Sequence, residues 1–322
     1  MVTETRTSRT AQLTDKLLMV FPDQFGFNHE TAGTNSFQNK PDQHHLEVRS
    51  QAILEFNGMV NKLRENGISV YVAPSPTGQV TPDAVFPNNW ISFHRELSLK
   101  GIDTILYPMM ANNRRAERQP NTVYPLIKDE PKSRDLRLLD LSYLEDQGLY
   151  LEGTGSLIFD RFRKVVFAHE SPRTNLEALN VFCSFTDYEP VVFHANDKTG
   201  QSIYHTNVVM SIGSGFSVVC LEAIPDDHEK LRVEKELDRL HLEIIEITQD
   251  QVSQFCGNVL EVQPHQGDPL LVMSQTAYDG FDLKQKDRLA HYANLLPVNI
   301  PTIESVGGGS ARCMMAEIFV NK

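Results

Sequence analysis

Two rhythms of apolar and polar positions run along this chain. In the first, short runs rich in Val, Ile and Phe are bounded by Gly, Pro, Asn or Asp, which is the pattern of β-strands. They fall at 17–21, 68–73, 90–94, 104–108, 156–160, 164–169, 190–195, 207–213, 216–223, 244–248, 258–262 and 270–275. In the second, apolar residues return at three- and four-residue steps and so share one helix face. The clearest case is 45–66, striped by Leu46, Val48, Ala52, Ile53, Phe56, Met59, Val60 and Leu63, with Gly67 following as a C-cap. Further helices are predicted at 173–184, 227–240, 248–255 and 282–294. In 227–240 the stripe is Leu231, Val233, Leu237 and Leu240, and the charges between form a solvated face. Strands outnumber helices, and the helices recur at intervals that suit repeated strand–helix units of one domain. No linker rich in Gly, Ser or Pro divides the chain. The polar stretch 111–135 reads as an excursion or lid rather than a domain boundary. A single domain is expected over 17–322, after a flexible lead-in at 1–16.

Composition narrows the classes. The chain has 322 residues, 40% of them hydrophobic, and is long enough to bury a substantial core. No window is apolar throughout for the length of a membrane span, so no transmembrane helix is expected. The N-terminal MVTETRTSRTAQLTDK lacks the apolar stretch of a signal peptide. Formal net charge is -12 and no basic patch is visible, which argues against a nucleic-acid partner. An acidic surface attracts cationic metabolites, though weakly. The four cysteines, Cys183, Cys220, Cys256 and Cys313, have no paired spacing. With no signal peptide, that points to the reducing cytoplasm. The first three lie in apolar runs and read as buried side chains.

Cys313 has different neighbours. Gly307-Gly308-Gly309 precedes Ser310-Ala311-Arg312-Cys313. Three glycines let a backbone turn tightly and approach a ligand, and a cysteine after such a turn, beside an arginine, sits where a thiolate is stabilised. The same residues also suit a plain loop feeding a last strand. A cysteine nucleophile needs a proton shuttle. His205 stands at the start of a strong strand with Asn207 two residues on, so the two would face one cavity. Glu152 lies between Leu151 and Gly153-Thr154-Gly155, and a carboxylate at the rim of a strand is costly to bury without a partner. Asp83, Asn88 and Asn89 flank Val85-Phe86 ahead of the strand that holds the one tryptophan, Trp90. Turn chemistry alone also accounts for Pro-Asn-Asn.

In this order the segments resemble the guanidine-modifying superfamily: Asp83 with Asn89 six residues on, then Glu-Gly-x-Gly at 152–155, Ser-x-Arg-Thr at 171–174, His-x-Asn at 205–207, and a Gly-rich C-terminal cysteine. That group includes arginine deiminases, dimethylarginine dimethylaminohydrolases, amidinotransferases and citrulline hydrolases. The opening VFPDQFGFNHETAGTNSFQ resembles the arginine deiminase-related, or citrulline-utilising, branch. The resemblance implies an α/β fold, a five-bladed α/β propeller (the pentein fold) with pseudo-fivefold symmetry about a substrate channel. It implies Cys313 as nucleophile, His205 as general acid and base, and Glu152 as the carboxylate that orients the histidine or holds the substrate nitrogens. Asp83 would bind the guanidinium, Asn89 falls where relatives often carry a second aspartate, and Arg173 would grip the substrate's α-carboxylate through a guanidinium–carboxylate fork. It implies a small-molecule partner, citrulline or arginine, with no metal, no organic cofactor and no membrane, and it leaves a homo-oligomer open.

One departure is informative. Where arginine deiminases tend to show Arg-Asp and His-x-Asp, this chain has Asn88-Asn89 and His205-Thr206-Asn207. An aspartate only accepts hydrogen bonds, whereas an asparagine also donates. A guanidinium has only donors; a ureido oxygen wants one. The substitution therefore predicts a pocket for citrulline, cleaved to ornithine, carbon dioxide and ammonia. Arginine deimination and amidino transfer remain as rivals, with a non-catalytic binding protein as the reading from another class.

Overall fold

The computed structural model describes residues 12–95, 103–127 and 137–319. Its strands sort into five three-stranded sheets of one topology. In the first, β1 (Lys16–Val20) runs parallel to β2 (Ser69–Ala73). The second holds β3 (Ile91–Phe93), β4 (Thr104–Leu106) and β5 (Leu138–Asp140), and the third β6 (Leu157–Asp160), β7 (Val165–His169) and β8 (Glu189–Phe193). The fourth holds β9 (Met210–Ile212), β10 (Phe216–Val219) and β11 (Glu243–Glu246), and the fifth β12 (Leu260–Val262), β13 (Leu270–Ser274) and β14 (Asn294–Val298). In these four the first strand folds back antiparallel onto the second, and the third lies parallel to the second. A parallel partner needs a crossover, and helical segments supply it in every sheet. The first sheet obtains its antiparallel strand from the far end of the chain: β15 (Ala316–Glu317) pairs with β1.

The inner strands follow one another in a ring. β15 lies beside β3, β3 beside the turn that opens β6, β6 beside β9, and β9 beside β12; the turn that opens β15 packs on β13 and closes the circle. A ring of five like sheets accords with the mixed α/β fold that the resemblance implies, with β15 as the clasp.

The helix His45–Glu65 forms where the apolar stripe was expected. It buries Val48, Ala52, Phe56, Met59, Val60 and Leu63, and the His44 side chain accepts from Leu46 N at its start. Its stripe packs with Leu17, Met19, Ile303 and Val306 in one apolar cluster, and each such side chain contributes about 1.5–3 kcal/mol. Glu55 is the polar residue buried on that helix. Its carboxylate accepts from Thr302 N and Ile303 N, each 3.0 Å away. It therefore anchors the positive end of the helix Pro301–Gly307, which leads to Cys313.

Three strands lie outside the runs seen in the sequence. β5 is an edge strand with Leu138 and Asp140 exposed, and β14 is an edge strand containing Pro297, which an edge tolerates because no partner needs its missing N–H. β15 spans two residues. The helix expected at 282–294 ends at Ala290, because Asn294 onward pairs with β13. The lead-in at 1–16 is packed from Gln12: its Nε2 donates to Phe159 O (2.9 Å) and its Oε1 accepts from Arg161 N (2.8 Å). Residues 1–11 lie outside the described residues. Of the stretch 111–135, Asn112–Arg115 and Pro120–Leu126 are helical, and 128–135 lie outside the described residues. No described helix is long and apolar enough to cross a membrane.

Candidate active site

Inner strands begin in short turns that are tied to one another around the ring. The turns Pro87–Asn89, Gly153–Ser156, Thr206–Val209 and Ala311–Met314 open β3, β6, β9 and β15, and Asn258 precedes β12. Thr154 Oγ1 donates to Asn88 O (3.3 Å), Thr206 Oγ1 to Ser156 O (2.6 Å), Asn258 Nδ2 to Asn207 O (3.0 Å), and Arg312 N to Asn258 Oδ1 (3.1 Å). This stitching brings together residues from five distant segments. Asp83, Asn89, Arg173, His205 and Cys313 line one small cavity, together with Arg114, Tyr204 and Gly307–Gly309. Glu152 and Asn207 join it through hydrogen bonds to His205 and Cys313.

Glu152 is fully buried, and each of its oxygens has a task. Oε1 accepts from Met110 N (3.0 Å) and Oε2 from His205 Nε2 (2.9 Å), with guanidinium nitrogens of Arg114 and Arg173 each 3.7 Å away. Burial works to raise its pKa, but Arg173, the His205 hydrogen bond and Arg114 outweigh it and hold Glu152 at about 2. The same burial, reinforced by the two arginines, pulls His205 down to about 4 against the opposing pull of Glu152. The imidazole is therefore neutral at physiological pH. It bonds to Glu152 through Nε2, which carries the proton because a carboxylate only accepts. That leaves Nδ1 as the basic nitrogen.

Gly155 makes this packing possible. A Cβ there would lie 2.3 Å from Asn89 Nδ2 and 2.8 Å from both Nδ1 and Cε1 of His205. Gly308 has φ of +66°, which caps the helix Pro301–Gly307 in a left-handed turn. Tyr204 then fixes that turn, its hydroxyl donating to Gly308 O at 2.6 Å. On the other side, Ser310 Oγ donates to Glu304 Oε1 at 2.6 Å, so the segment leading to Cys313 is held from two directions.

Asp83 is buried and its Oδ2 accepts from Asn28 Nδ2 (2.7 Å) and Thr31 Oγ1 (3.2 Å). Burial raises its pKa more than Arg114 and these partners lower it. Oδ1 has no partner. Arg173 is braced by Thr34 Oγ1 (2.7 Å) and Thr31 O (3.3 Å) and stacks on the Tyr204 ring at 5.0 Å. Arg312, the sequence neighbour of Cys313, turns away: it donates to Met315 O (3.0 Å) and Glu317 Oε2 (3.1 Å).

Two residues of the site carry no mark in the sequence. Arg114 lies in the polar stretch 111–135, yet it is buried, forks onto Glu117 with two 2.9 Å bonds, and donates to Asn89 Oδ1 at 3.1 Å. Burial opposes its charge, but Glu117 and Asp83 outweigh that and raise its pKa above the usual arginine value. Asn258 touches the cysteine sulfur and sits in a run that reads as an ordinary strand. Comparing the strand starts, Asn89, Asn207 and Asn258, was the available signal. The wider cleft of about 530 Å³ lies elsewhere, beyond Phe37, lined by Lys198, Gln249 and Glu304 among others. It gathers none of Asp83, Asn89, Glu152, Arg173, His205, Asn207 and Cys313.

The sequence matches the family described as N,N dimethylarginine dimethylhydrolase, eukaryotic, over residues 21–320. The chain belongs to this family. Members hydrolyse non-peptide C–N bonds, and this chain is such a hydrolase of the guanidine-modifying superfamily. No curated protein matches the sequence. Among solved structures, the fold is similar to the N-terminal domain of ArgZ bound to substrate, an arginine dihydrolase from the ornithine-ammonia cycle in Cyanobacteria. That likeness has a TM-score of 0.70 at 18% identity and covers 94% of this chain and 97% of that one. It is similar to unliganded AgrE, with a TM-score of 0.71 at 18% identity, covering 95% of this chain and 40% of AgrE. It is also similar to SxtG, an amidinotransferase from Microseira wollei, with a TM-score of 0.64 at 11% identity, covering 97% of this chain and 96% of that one. At these identities the solved structures speak for the fold of the family member described here.

Proposed function

We propose that this hydrolase cleaves the ureido group of citrulline, giving ornithine, carbon dioxide and ammonia, with Cys313 as nucleophile. The observation that carries the substrate is the Asn89 amide. Its Oδ1 faces Arg114, which can only donate, so Nδ2 is the opposite end. That Nδ2 is buried, has no partner, and shares the space over Gly155 with the His205 ring. A guanidinium would bring another donor to it, whereas a ureido oxygen would satisfy it. An unmet buried donor costs about 1–3 kcal/mol, so the preference is built into the pocket.

The steps follow from the residues. Sulfur adds to the ureido carbon, and the thiol proton passes to the neutral His205. The imidazolium, steadied by Glu152, protonates the substrate's δ-nitrogen; the C–N bond breaks and ornithine leaves a carbamoyl group on sulfur. Water, deprotonated by His205, then adds to the carbonyl, the C–S bond breaks with its electron pair returning to sulfur, and the carbamate decays to carbon dioxide and ammonia. Arg173 offers its guanidinium to the α-carboxylate, and Asn207 Oδ1, buried without a partner, is free to accept from a substrate N–H.

Steady-state kinetics on citrulline and arginine side by side test the reading. A larger kcat/KM for citrulline, with ornithine formed in step with ammonia, is expected, and Asn89→Asp should move the preference toward arginine. A larger kcat/KM for arginine in the unmodified enzyme refutes it. A second reading, in which free or methylated arginine is attacked first and citrulline is released, draws on Asp83 Oδ1. It is a buried carboxylate oxygen with no partner, which a guanidinium N–H would satisfy.

A further inference from the structure

Asn258 is fully buried at the start of β12, and neighbours of fixed polarity dictate how its amide lies. Oδ1 accepts from Arg312 N at 3.1 Å, a group that can only donate. Nδ2 lies 3.0 Å from Asn207 O, a group that can only accept. The amide therefore has one orientation, independent of how its two ends were first assigned. One hydrogen of Nδ2 remains, and Cys313 Sγ is 3.2 Å away, against 3.6 Å from the sulfur to Oδ1. Asn207 Nδ2 approaches the same sulfur at 3.3 Å.

We propose that Asn258 and Asn207 form a two-amide cradle that takes up the negative charge on the sulfur of Cys313 as its proton leaves on attack, and again when the C–S bond of the thio intermediate breaks and its electron pair returns to sulfur. This rests on the reading of Cys313 as the nucleophile. A buried sulfur loses the hydration that favours its charged form, and the cation next to it in sequence acts on it through charge alone, because the hydrogen bonds of Arg312 go to Met315 O and Glu317. The other titratable and charged groups around the sulfur are Asp83, Arg114, Arg173, Tyr204 and His205 across the cavity. None of them is hydrogen-bonded to it, whereas the two amide donors are. Their directional bonds favour the thiolate over the thiol, since a thiolate accepts two such bonds strongly and a thiol only weakly. The shared ring of bonds supplies the rigidity: the backbone N–H of Arg312 sets Asn258, and Asn258 in turn grips the backbone carbonyl of Asn207.

The test is alkylation of Cys313 by iodoacetamide as a function of pH, followed by mass spectrometry of the peptide that contains it, with Cys313→Ser as the blank for the other cysteines. No substrate is involved, so the outcome is separate from the choice between citrulline and arginine. In Asn258→Ala the pH of half-maximal alkylation should rise by about one unit, with the rate at neutral pH down about tenfold and the high-pH plateau kept. Asn258→Asp keeps an acceptor for Arg312 N but sets a second acceptor against the sulfur, and should shift the midpoint further; it also covers the case in which the alanine variant fails to fold. A folded variant with an unchanged midpoint, slowing equal at every pH, or a wild-type Cys313 that resists alkylation throughout would each overturn the cradle. A shifted midpoint in an enzyme inactive on both substrates would sustain the cradle and sink the proposed function instead.

Discussion

Replacing Glu152 by glutamine exchanges a buried carboxylate for a neutral amide of nearly the same shape. In the native protein Glu152 takes the proton-bearing nitrogen of His205 at 2.9 Å and faces two guanidinium groups at 3.7 Å. Its pKa falls from 4.5 to about 2, which corresponds to about 3 kcal/mol of stability from this one ionisation. A carboxylate whose folded pKa is depressed stabilises fully above its unfolded value and loses that contribution as pH falls through the folded one. The native enzyme should therefore lose about 3 kcal/mol between roughly pH 4.5 and pH 2. Glu152→Gln should start lower by a similar amount at pH 7 and show a flatter profile across that window. His205 adds a separate loss above it, between its ordinary value of 6.5 and about 4, and this loss persists in the variant. Urea unfolding at a series of pH values reads both windows. Activity supplies a second readout: without the carboxylate the imidazolium loses its partner, and kcat should fall by about 10²–10⁴. Unchanged stability at pH 7, together with an unchanged slope between pH 4.5 and 2, would refute the assignment of that charge to the pair.

Other outcomes follow from the same geometry. Gly155→Ala would place a carbon 2.3 Å from Asn89 Nδ2 and 2.8 Å from the His205 ring. It should cut kcat/KM by about 100-fold while costing only about 1–3 kcal/mol in unfolding experiments; near-normal activity would contradict the packing. Arg114→Met removes the cation facing Asp83, Glu117 and Glu152, and stranding buried charges should destabilise by about 3–5 kcal/mol, a fall in Tm of about 4–7 °C by calorimetry. Because burial holds His205 near 4, the acid limb of kcat/KM should lie near pH 4; a limb at the ordinary histidine value would show the ring to be solvated.

Much of this could be read before any coordinates. The stripe Val48–Leu63 marks its helix because one face is apolar, and the runs at 164–169 and 270–275 mark β7 and β13 because both faces of the central strand of a sheet are buried. Asp83, Asn89, Glu152, Arg173, His205, Asn207 and Cys313 were found by type and order, and all seven meet at one site. β5 and β14 escaped because an edge strand pairs on one side only and carries a weaker pattern.

Sequence by itself determined the local elements, the residue types able to do thiolate and proton-transfer chemistry, and the exchange of two acids for two amides. Those properties reside in single residues and their near neighbours. Tertiary structure alone decided that Arg114 enters the site from a polar loop, that Arg312 leaves it, and that Asn258 meets the sulfur. Each depends on where segments distant along the chain are brought together when the five sheets close into a ring. A side chain's partner across that ring is set by the closure and not by the residues on either side of it.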